Sequence, residues 1–288
     1  MDVTHDDPDS QAALWNGTAG QAWVQLQALL DGMFEPFERL LAAEAIEFGR
    51  GPVLDVGCGT GATTLAIARA LGPSSECVGV DVSAPMIAAA CSRLPAQSHG
   101  ISFVESDAQR HAFEPGRFRV IVSRFGVMFF DDPVEAFANL HRAATGDAQM
   151  RLIAWRSAAD NPFMTTAERA VASMLPPFPA REPEAPGQFA FADPQRVQAI
   201  LARAGWHDVA LQPLDVTCTL PAHALPTYLS RLGPVGRALQ DVDEDTRERV
   251  LAVARRAFEP YVHGNQVRFK AACWMIAARA GTALRARG

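Results

Sequence analysis

Residues 53–61 read Val-Leu-Asp-Val-Gly-Cys-Gly-Thr-Gly, and this stretch constrains the fold more than any other in the chain. Val53 to Val56 are a short apolar run of strand length. Gly57, Gly59 and Gly61 then fall at alternate positions, and an apolar helical pattern follows at once from Ala62 to Leu71. A strand that turns through glycines into a helix N-terminus brings bare backbone N–H groups against a ligand, because no side chains hold the ligand away. The pattern predicts a Rossmann-like α/β fold with its ligand at the carboxyl ends of parallel strands.

The spacing of the glycines separates two chemistries. A dinucleotide fingerprint is G-x-G-x-x-G; here the order is Gly57-Cys58-Gly59-Thr60-Gly61, with Asp55 inside the strand end. A carboxylate there would repel a pyrophosphate and suits a ligand carrying a positive amine. No Lys follows Gly61, so the P-loop pattern fails as well. Three further apolar runs end in polar groups: Cys77 to Val82 with Asp81, Ile101 to Ala108 with Asp107, and Val120 to Val122 leading into Ser123, Arg124 and Phe125.

With these four segments the chain resembles the class I S-adenosylmethionine (SAM) dependent methyltransferases. Residues Asp55 to Gly61 match their first motif, Asp/Glu-x-Gly-x-Gly-x-Gly. The run from Phe118 to Phe130 is similar to the C-methyltransferases of ubiquinone and menaquinone biosynthesis (the methyltransferase type 11 group) and their small-molecule relatives. The resemblance implies a seven-stranded, mostly parallel sheet flanked by helices, in the order 3-2-1-4-5-7-6 with the seventh strand antiparallel. It implies SAM as cofactor, S-adenosylhomocysteine as product, and no metal. It places Asp55, Gly57, Gly59, Thr60 and Gly61 at the cofactor, Asp81 and Val82 at its ribose, and Asp107 and Ala108 at its adenine. Ser123 and Phe125 would lie at the fourth strand end. Met86 either meets ribose and adenine or fills the core. Trp15 either folds over the pocket, where its face attracts the sulfonium, or anchors the N-terminus.

Charge and cysteine usage narrow the class. A net charge of −6 argues against a nucleic-acid partner, which favours a basic face. An Asn/Asp-Pro-Pro-aromatic motif of nucleic-acid adenine methyltransferases is missing after the fourth strand. The five cysteines, at 58, 77, 91, 218 and 273, form no Cys-x-x-Cys pair, so neither zinc nor a disulfide framework is suggested. No stretch approaches the roughly 20 apolar residues of a membrane span, and the acidic N-terminal residues hold no signal region. A cytoplasmic protein is the expectation. Lys270 is the one lysine among 26 Lys and Arg residues, which with the Ala, Gly and Pro content points to a GC-rich bacterial genome.

The remaining segments divide as follows: an N-terminal helical cap over 1–50, a SAM-binding core over 51–156, a lid insertion over 157–191, core again over 192–220, a second lid insertion over 221–266, and a last strand and tail over 267–288. Residues 20–48 read as helix in two pieces broken near Pro36. Ser83 is placed to cap the helix after the second strand, and Asp193 the helix Pro194–Ala204. Pro162 to Leu175 reads as a short helix, and so does Asp245 to Phe258. The insertions predict a lid over a small, aromatic or quinone-like acceptor; a homodimer surface is their alternative use. Methyl transfer needs alignment and water exclusion, and a general base only where the acceptor arrives protonated. Candidates for that role or for acceptor binding are Arg124, His223, Tyr228 and His263, with His141 and Tyr261 behind them. A non-catalytic SAM-binding protein and an NAD-dependent oxidoreductase stay open as alternatives.

Overall fold

The computed structural model describes residues 10–281 apart from 50, 96, 97, 99 and 183. Three helices lead in: α1 (Gln11–Asn16), α2 (Thr18–Gln25) and α3 (Gln27–Glu47). Then come β1 (Val53–Val56), α4 (Ala62–Leu71), β2 (Cys77–Asp81), α5 (Ala84–Ser92), β3 (Ile101–Glu105), β4 (Phe118–Arg124), α6 (Pro133–Ala143) and β5 (Ala144–Trp155). The second half holds α7 (Phe163–Val171), α8 (Pro194–Arg203), β6 (His207–Pro221), α9 (Leu225–Arg231), α10 (Gly233–Ala238), α11 (Glu244–Ala257), β7 (Val262–His263) and β8 (Gln266–Arg279).

The strands form one eight-stranded sheet in the order β3-β2-β1-β4-β5-β8-β6, with β7 paired to β8. Strands β1 to β5 are mutually parallel, and β8 runs antiparallel between β5 and β6. The expected order therefore stands with β8 in the seventh place, but the count of seven strands is corrected to eight. The extra strand is a two-residue hairpin arm in which His263 faces Gln266 across a Gly264-Asn265 turn, with Gly264 at φ 63°. Gly-Asn is a hairpin signal that the seven-strand expectation overlooked. The central strand β1 is buried at every position, as a parallel strand covered on both faces must be.

Two local expectations are also corrected. The helical break lies at Leu26 (φ −100°, ψ 13°), and α3 runs straight through Pro36. Pro36 forfeits an intrahelical bond, a cost of about 3 kcal/mol, yet Phe34, Phe37 and Leu41 on either side are buried and hold the helix on the sheet. Ser83 stands at the N-cap position of α5 but makes no cap bond; its hydroxyl donates instead to the Trp15 carbonyl at 2.6 Å. By contrast Asp132, Asp193 and Asp243 all accept from first-turn amides of α6, α8 and α11, and Pro133 and Pro194 occupy first-turn positions where a missing N–H costs nothing. The helix expected over Pro162–Leu175 is shorter, ending at Val171.

Candidate functional site

The loop after β1 is built by its glycines. Gly57, Gly59 and Gly61 all have positive φ (67°, 55° and 83°), a region that costs other residues about 1–2 kcal/mol. A Cβ on Gly57 would meet the Gly126 Cα at 2.6 Å, and one on Gly61 would meet the Phe103 ring at 2.6 Å. Gly59 is different: its nearest neighbour would be Met86 Sδ at 3.6 Å, so its freedom serves φ and an open surface.

Asp81, at the end of β2, ties this loop to the next. Its Oδ2 accepts from the Gly59 amide at 2.8 Å and its Oδ1 from the Ser83 amide at 2.9 Å. Burial raises its pKa above the usual carboxylate value, against those backbone N–H groups, which lower it. Asn16, just after Trp15, crosses over to the same turn. It donates to the Val82 carbonyl at 3.0 Å and accepts from the Ala84 amide at 2.8 Å, so Asn16 caps α5 where Ser83 does not. The Trp15 ring stands edge-on to Phe129 and Trp23, with centroids 5.1 and 6.1 Å away.

At the end of β3, Asp107 accepts from the Gln109 amide at 2.9 Å. The loop it begins is braced from α6: buried Asn139 donates to the carbonyls of Ala108 (3.0 Å) and His111 (2.8 Å). Sequence reasoning passed over Asn139, whose signal is a polar side chain on the buried face of an amphipathic helix. It passed over Asn16 as a cap as well, since a contact across 68 positions leaves no local trace.

Gly57, Gly59, Asp81, Val82, Met86, Asp107 and Ala108 all open on one cavity of about 1380 Å³, and so do Trp15, Arg124, Phe125 and Tyr228. Asp55, Thr60, Gly61 and Ser123 do not line it. Asp55 is 1% exposed; its Oδ2 accepts from the Thr64 hydroxyl at 2.6 Å, while its Oδ1 has no hydrogen-bond partner among the described residues. Burial raises its pKa to about 6, opposed by that hydroxyl and by Arg124. The Thr60 carbonyl accepts from Arg93 at 2.7 Å, and Arg93 in turn pairs with Asp31 of α3. Ser123 donates to the Val56 carbonyl at 2.6 Å and accepts from the Gly126 amide, holding β4 to β1. Burial also raises the Cys58 thiol well above its ordinary value, which leaves it protonated and inert.

Arg124 borders the cavity but is engaged elsewhere. Its Nε donates to Thr63 at 3.1 Å, its Nη1 lies 3.5 Å from Glu38 Oε1, and its guanidinium sits over the Phe34 ring at 5.5 Å. Glu38 is itself buried, and burial raises its pKa against the pull of Arg124. Phe125 is one of two non-glycine residues with positive φ, at 68° among the described residues. Its ring stacks on Trp155 at 4.4 Å, nearly parallel. An aromatic residue in that region is a strained position of the kind that gathers at functional sites.

The other candidates scatter. Tyr228 of α9 reaches the cavity, and burial pushes its phenol up to about 12, so it is a neutral hydroxyl at physiological pH. His223 lies in a short turn before α9, and His263 is exposed in β7; neither lines the cavity. His141 contacts the Ala280 carbonyl at 2.9 Å and stands edge-on to Trp206, a structural place. The Tyr261 hydroxyl lies 3.4 Å from Thr166. Residues 157–191 and 221–266 both contribute walls: Phe163, Glu168, Phe178 and Phe189 from the first stretch, Tyr228 and Phe258 from the second. Among the described residues no three His, Cys, Asp or Glu side chains are grouped to hold a metal ion, and no helix is long and apolar enough to cross a membrane.

Comparison with known proteins places this geometry. Residues 53–146 match the model of a methyltransferase domain family. A demethylmenaquinone methyltransferase of Staphylococcus aureus is 33% identical over 89 residues, which are 31% of this chain and 36% of that protein. The matched stretch thus spans little more than a third of the length of such curated relatives. Among solved structures, the YcgJ protein from Bacillus subtilis superimposes with a TM-score of 0.54 at 19% identity, over 85% of this chain and 98% of that one. The 4+2 cyclase SpnF gives a TM-score of 0.53 at 19% identity, over 92% and 96% of the two chains. At these identities the likeness is one of fold.

Proposed function

We propose, for a chain whose residues 53–146 match a methyltransferase domain, that it transfers the methyl group of SAM to a small aromatic or quinone-like molecule held under residues 157–191 and 221–266. One observation carries the reading. The open glycine backbone at 57–59 and the carboxylates of Asp81 and Asp107 lie at three successive parallel strand ends, and all line a single cavity that continues into aromatic walls.

The residues present suit the cofactor. Gly57 and Gly59 leave a cradle that a Cβ at either position would strain or fill. Each Asp81 oxygen accepts one backbone N–H and keeps acceptor capacity for a ribose hydroxyl. Asp107 stands where an exocyclic amine could donate to it. Bound there, SAM would supply a methyl group already activated on a sulfonium.

The chain's own part is then to align and to dry the site. Phe125, locked on Trp155, separates the glycine loop from the aromatic walls and fixes where an acceptor can approach. Trp15, Phe129 and the two insertions shield that point from water. Arg124 donates to Thr63 and is ion-paired with Glu38 at 3.5 Å without a hydrogen bond, so it serves as a brace beneath the loop in preference to a base. The S. aureus relative is named for a quinone precursor, which favours a quinone-like acceptor here.

Calorimetry with SAM, S-adenosylhomocysteine and NAD(H) on the wild type and on Asp81→Ala tests the reading. Micromolar binding of both adenosyl ligands, weakened at least tenfold in the variant, is the expected result. No adenosyl binding by folded protein would sink the proposal, and NAD(H) binding alone would replace it with an oxidoreductase.

A further inference from the structure

The charges that line the cavity are sorted by element. Asp81, Asp107 and Asp131 line it from the ends of β2 and β3 and the loop after β4, and three acids suit a cofactor of net positive charge. Residues 225–240, which carry α9 and α10, supply two arginines and no acid. Both of them, Arg231 and Arg237, line the cavity. The chain as a whole leans the other way, with 32 acidic residues against 26 basic ones. The other arginines at the cavity are committed. Arg110 lies 3.7 Å from Asp107 and Arg124 lies 3.5 Å from Glu38, while Arg181 donates to both Glu168 oxygens at 2.5 and 2.7 Å. Arg231 and Arg237 are exposed, with no ion pair or side-chain hydrogen bond among the described residues. Glu182 is the remaining acid lining this side, so residues 157–191 and 221–266 set three arginines against two carboxylates there.

The local fold sets the two free arginines side by side. Leu232 is extended and Gly233 takes φ 68°, which turns α9 sharply into α10. Gly236 then comes so close to the end of α9 that a Cβ on it would meet the Arg231 carbonyl carbon at 2.6 Å. The missing side chain lets α10 fold back on the last residue of α9, and Arg237 follows directly on that contact. Two guanidinium forks leaving the backbone close together, both at one cavity, match the oxygens of a carboxylate or a phosphate.

We infer that the acceptor carries an oxyanion, a carboxylate or a phosphate, bound by Arg231 and Arg237 at the rim of the cavity. This rests on the methyltransferase reading for the word acceptor; the anion site belongs to the chain in either case. The two side chains are binding residues that select charge and take no part in the methyl transfer. A cationic cofactor at acidic strand ends and an anionic acceptor at a basic rim each meet a complementary field, and each is repelled from the other's place.

The test uses the whole protein, with and without saturating S-adenosylhomocysteine, and four probes: benzoate, benzamide, phenyl phosphate and inorganic phosphate. Ligand-observed NMR titration reads the weak affinities. Benzoate and benzamide share a shape and differ in charge, so benzoate should bind on the order of fivefold tighter, and added salt should shrink the difference. Whichever of benzoate and phenyl phosphate gains more over benzamide names the oxyanion, and a gain by either supports the site. Arg231→Gln with Arg237→Gln should bring benzoate down to the level of benzamide and leave benzamide unchanged. Both side chains are exposed, so the urea midpoint should stay. Arg255→Gln with Arg256→Gln removes two exposed charges of α11 that do not line the cavity and should leave the preference intact. Inorganic phosphate should bind at least about tenfold more weakly than phenyl phosphate, because it gains nothing from apolar walls. Equal affinity for benzoate and benzamide overturns the inference, and so does a preference that survives the loss of Arg231 and Arg237. Equal binding of the two phosphates reduces the site to a bare anion patch and overturns the acceptor assignment. An anion preference in protein that binds no S-adenosylhomocysteine would sink the methyltransferase reading and leave the site, whereas S-adenosylhomocysteine binding without any anion preference would do the reverse.

Discussion

Three alanine substitutions at the glycine loop separate backbone strain from steric overlap. Gly59→Ala meets strain alone: φ is 55° and nothing lies nearer than Met86 Sδ at 3.6 Å. Its cost should be about 1–2 kcal/mol. Gly126→Ala meets overlap alone. Its φ of −78° suits any residue, but the new Cβ would lie 2.6 Å from both Gly57 Cα and the Val56 carbonyl oxygen. Backbone must shift, at about 1–3 kcal/mol. Gly57→Ala meets both, with φ at 67° and the Gly126 Cα at 2.6 Å, and should cost about 2–5 kcal/mol. Urea denaturation reads the series. With a slope of roughly 3 kcal/mol/M, Gly57→Ala should lower the midpoint by about 1 M and Gly59→Ala by about half that or less. The double variant at 57 and 126 should cost less than the sum if one backbone shift relieves both overlaps. If Gly57→Ala proved no more damaging than Gly59→Ala, the close approach of the loops after β1 and β4 would not be what requires glycine at 57.

Asp55 gives a pH test. Its folded pKa is raised to about 6, above the unfolded value near 3.9, so its favourable contribution is complete below about pH 4 and is lost as pH rises through about 6. The loss is on the order of 3 kcal/mol. Asp55→Asn, which can still accept from Thr64, should therefore gain on the wild type between pH 4 and pH 7, and parallel stability curves would contradict this. Arg124→Ala strands buried Glu38 and should cost about 3–5 kcal/mol, whereas replacing both partners by Leu and Met should recover most of it. A small single-variant loss, measured by the same denaturation, would make the pair unimportant. Asn16→Ala removes the cap of α5, worth about 1 kcal/mol; hydrogen exchange at the Ala84 amide should quicken about fivefold, and adenosyl-ligand affinity should fall with it. Unchanged exchange would mean that the N-terminal helices are not tied to the cofactor turn through this residue.

The glycine loop and the carboxylates at strand ends were legible because each is written locally, whereas the sheet order followed only from the family resemblance. A short apolar run, a glycine that must take positive φ and an acid within or just after the run depend on neighbours in the chain. The same holds for the Asp193 cap of α8. Other features depend on groups brought together only by folding. Whether Asp55 faces the ligand or the core is not encoded in its motif, and the sheet places it behind the loop at 1% exposure. Whether Ser83 or Asn16 caps α5 depends on where the N-terminal helices dock. Pro36 reads as a break, yet burial of Phe34, Phe37 and Leu41 outweighs it. Arg124 reads as a candidate for chemistry and becomes a brace, because Glu38, 86 positions earlier, reaches it across the core.

By itself the sequence determined a parallel α/β core with an open glycine backbone and acids at its strand ends, since φ preferences and hydrophobic periodicity act over a few residues. Tertiary structure alone decided which of those groups meet the cavity, and how Phe34, Phe125, Trp155 and Phe163 become one wall. Those four positions span 129 residues, and only packing around a common sheet edge brings their rings within contact, where burial and ring stacking replace local propensity as the governing energies.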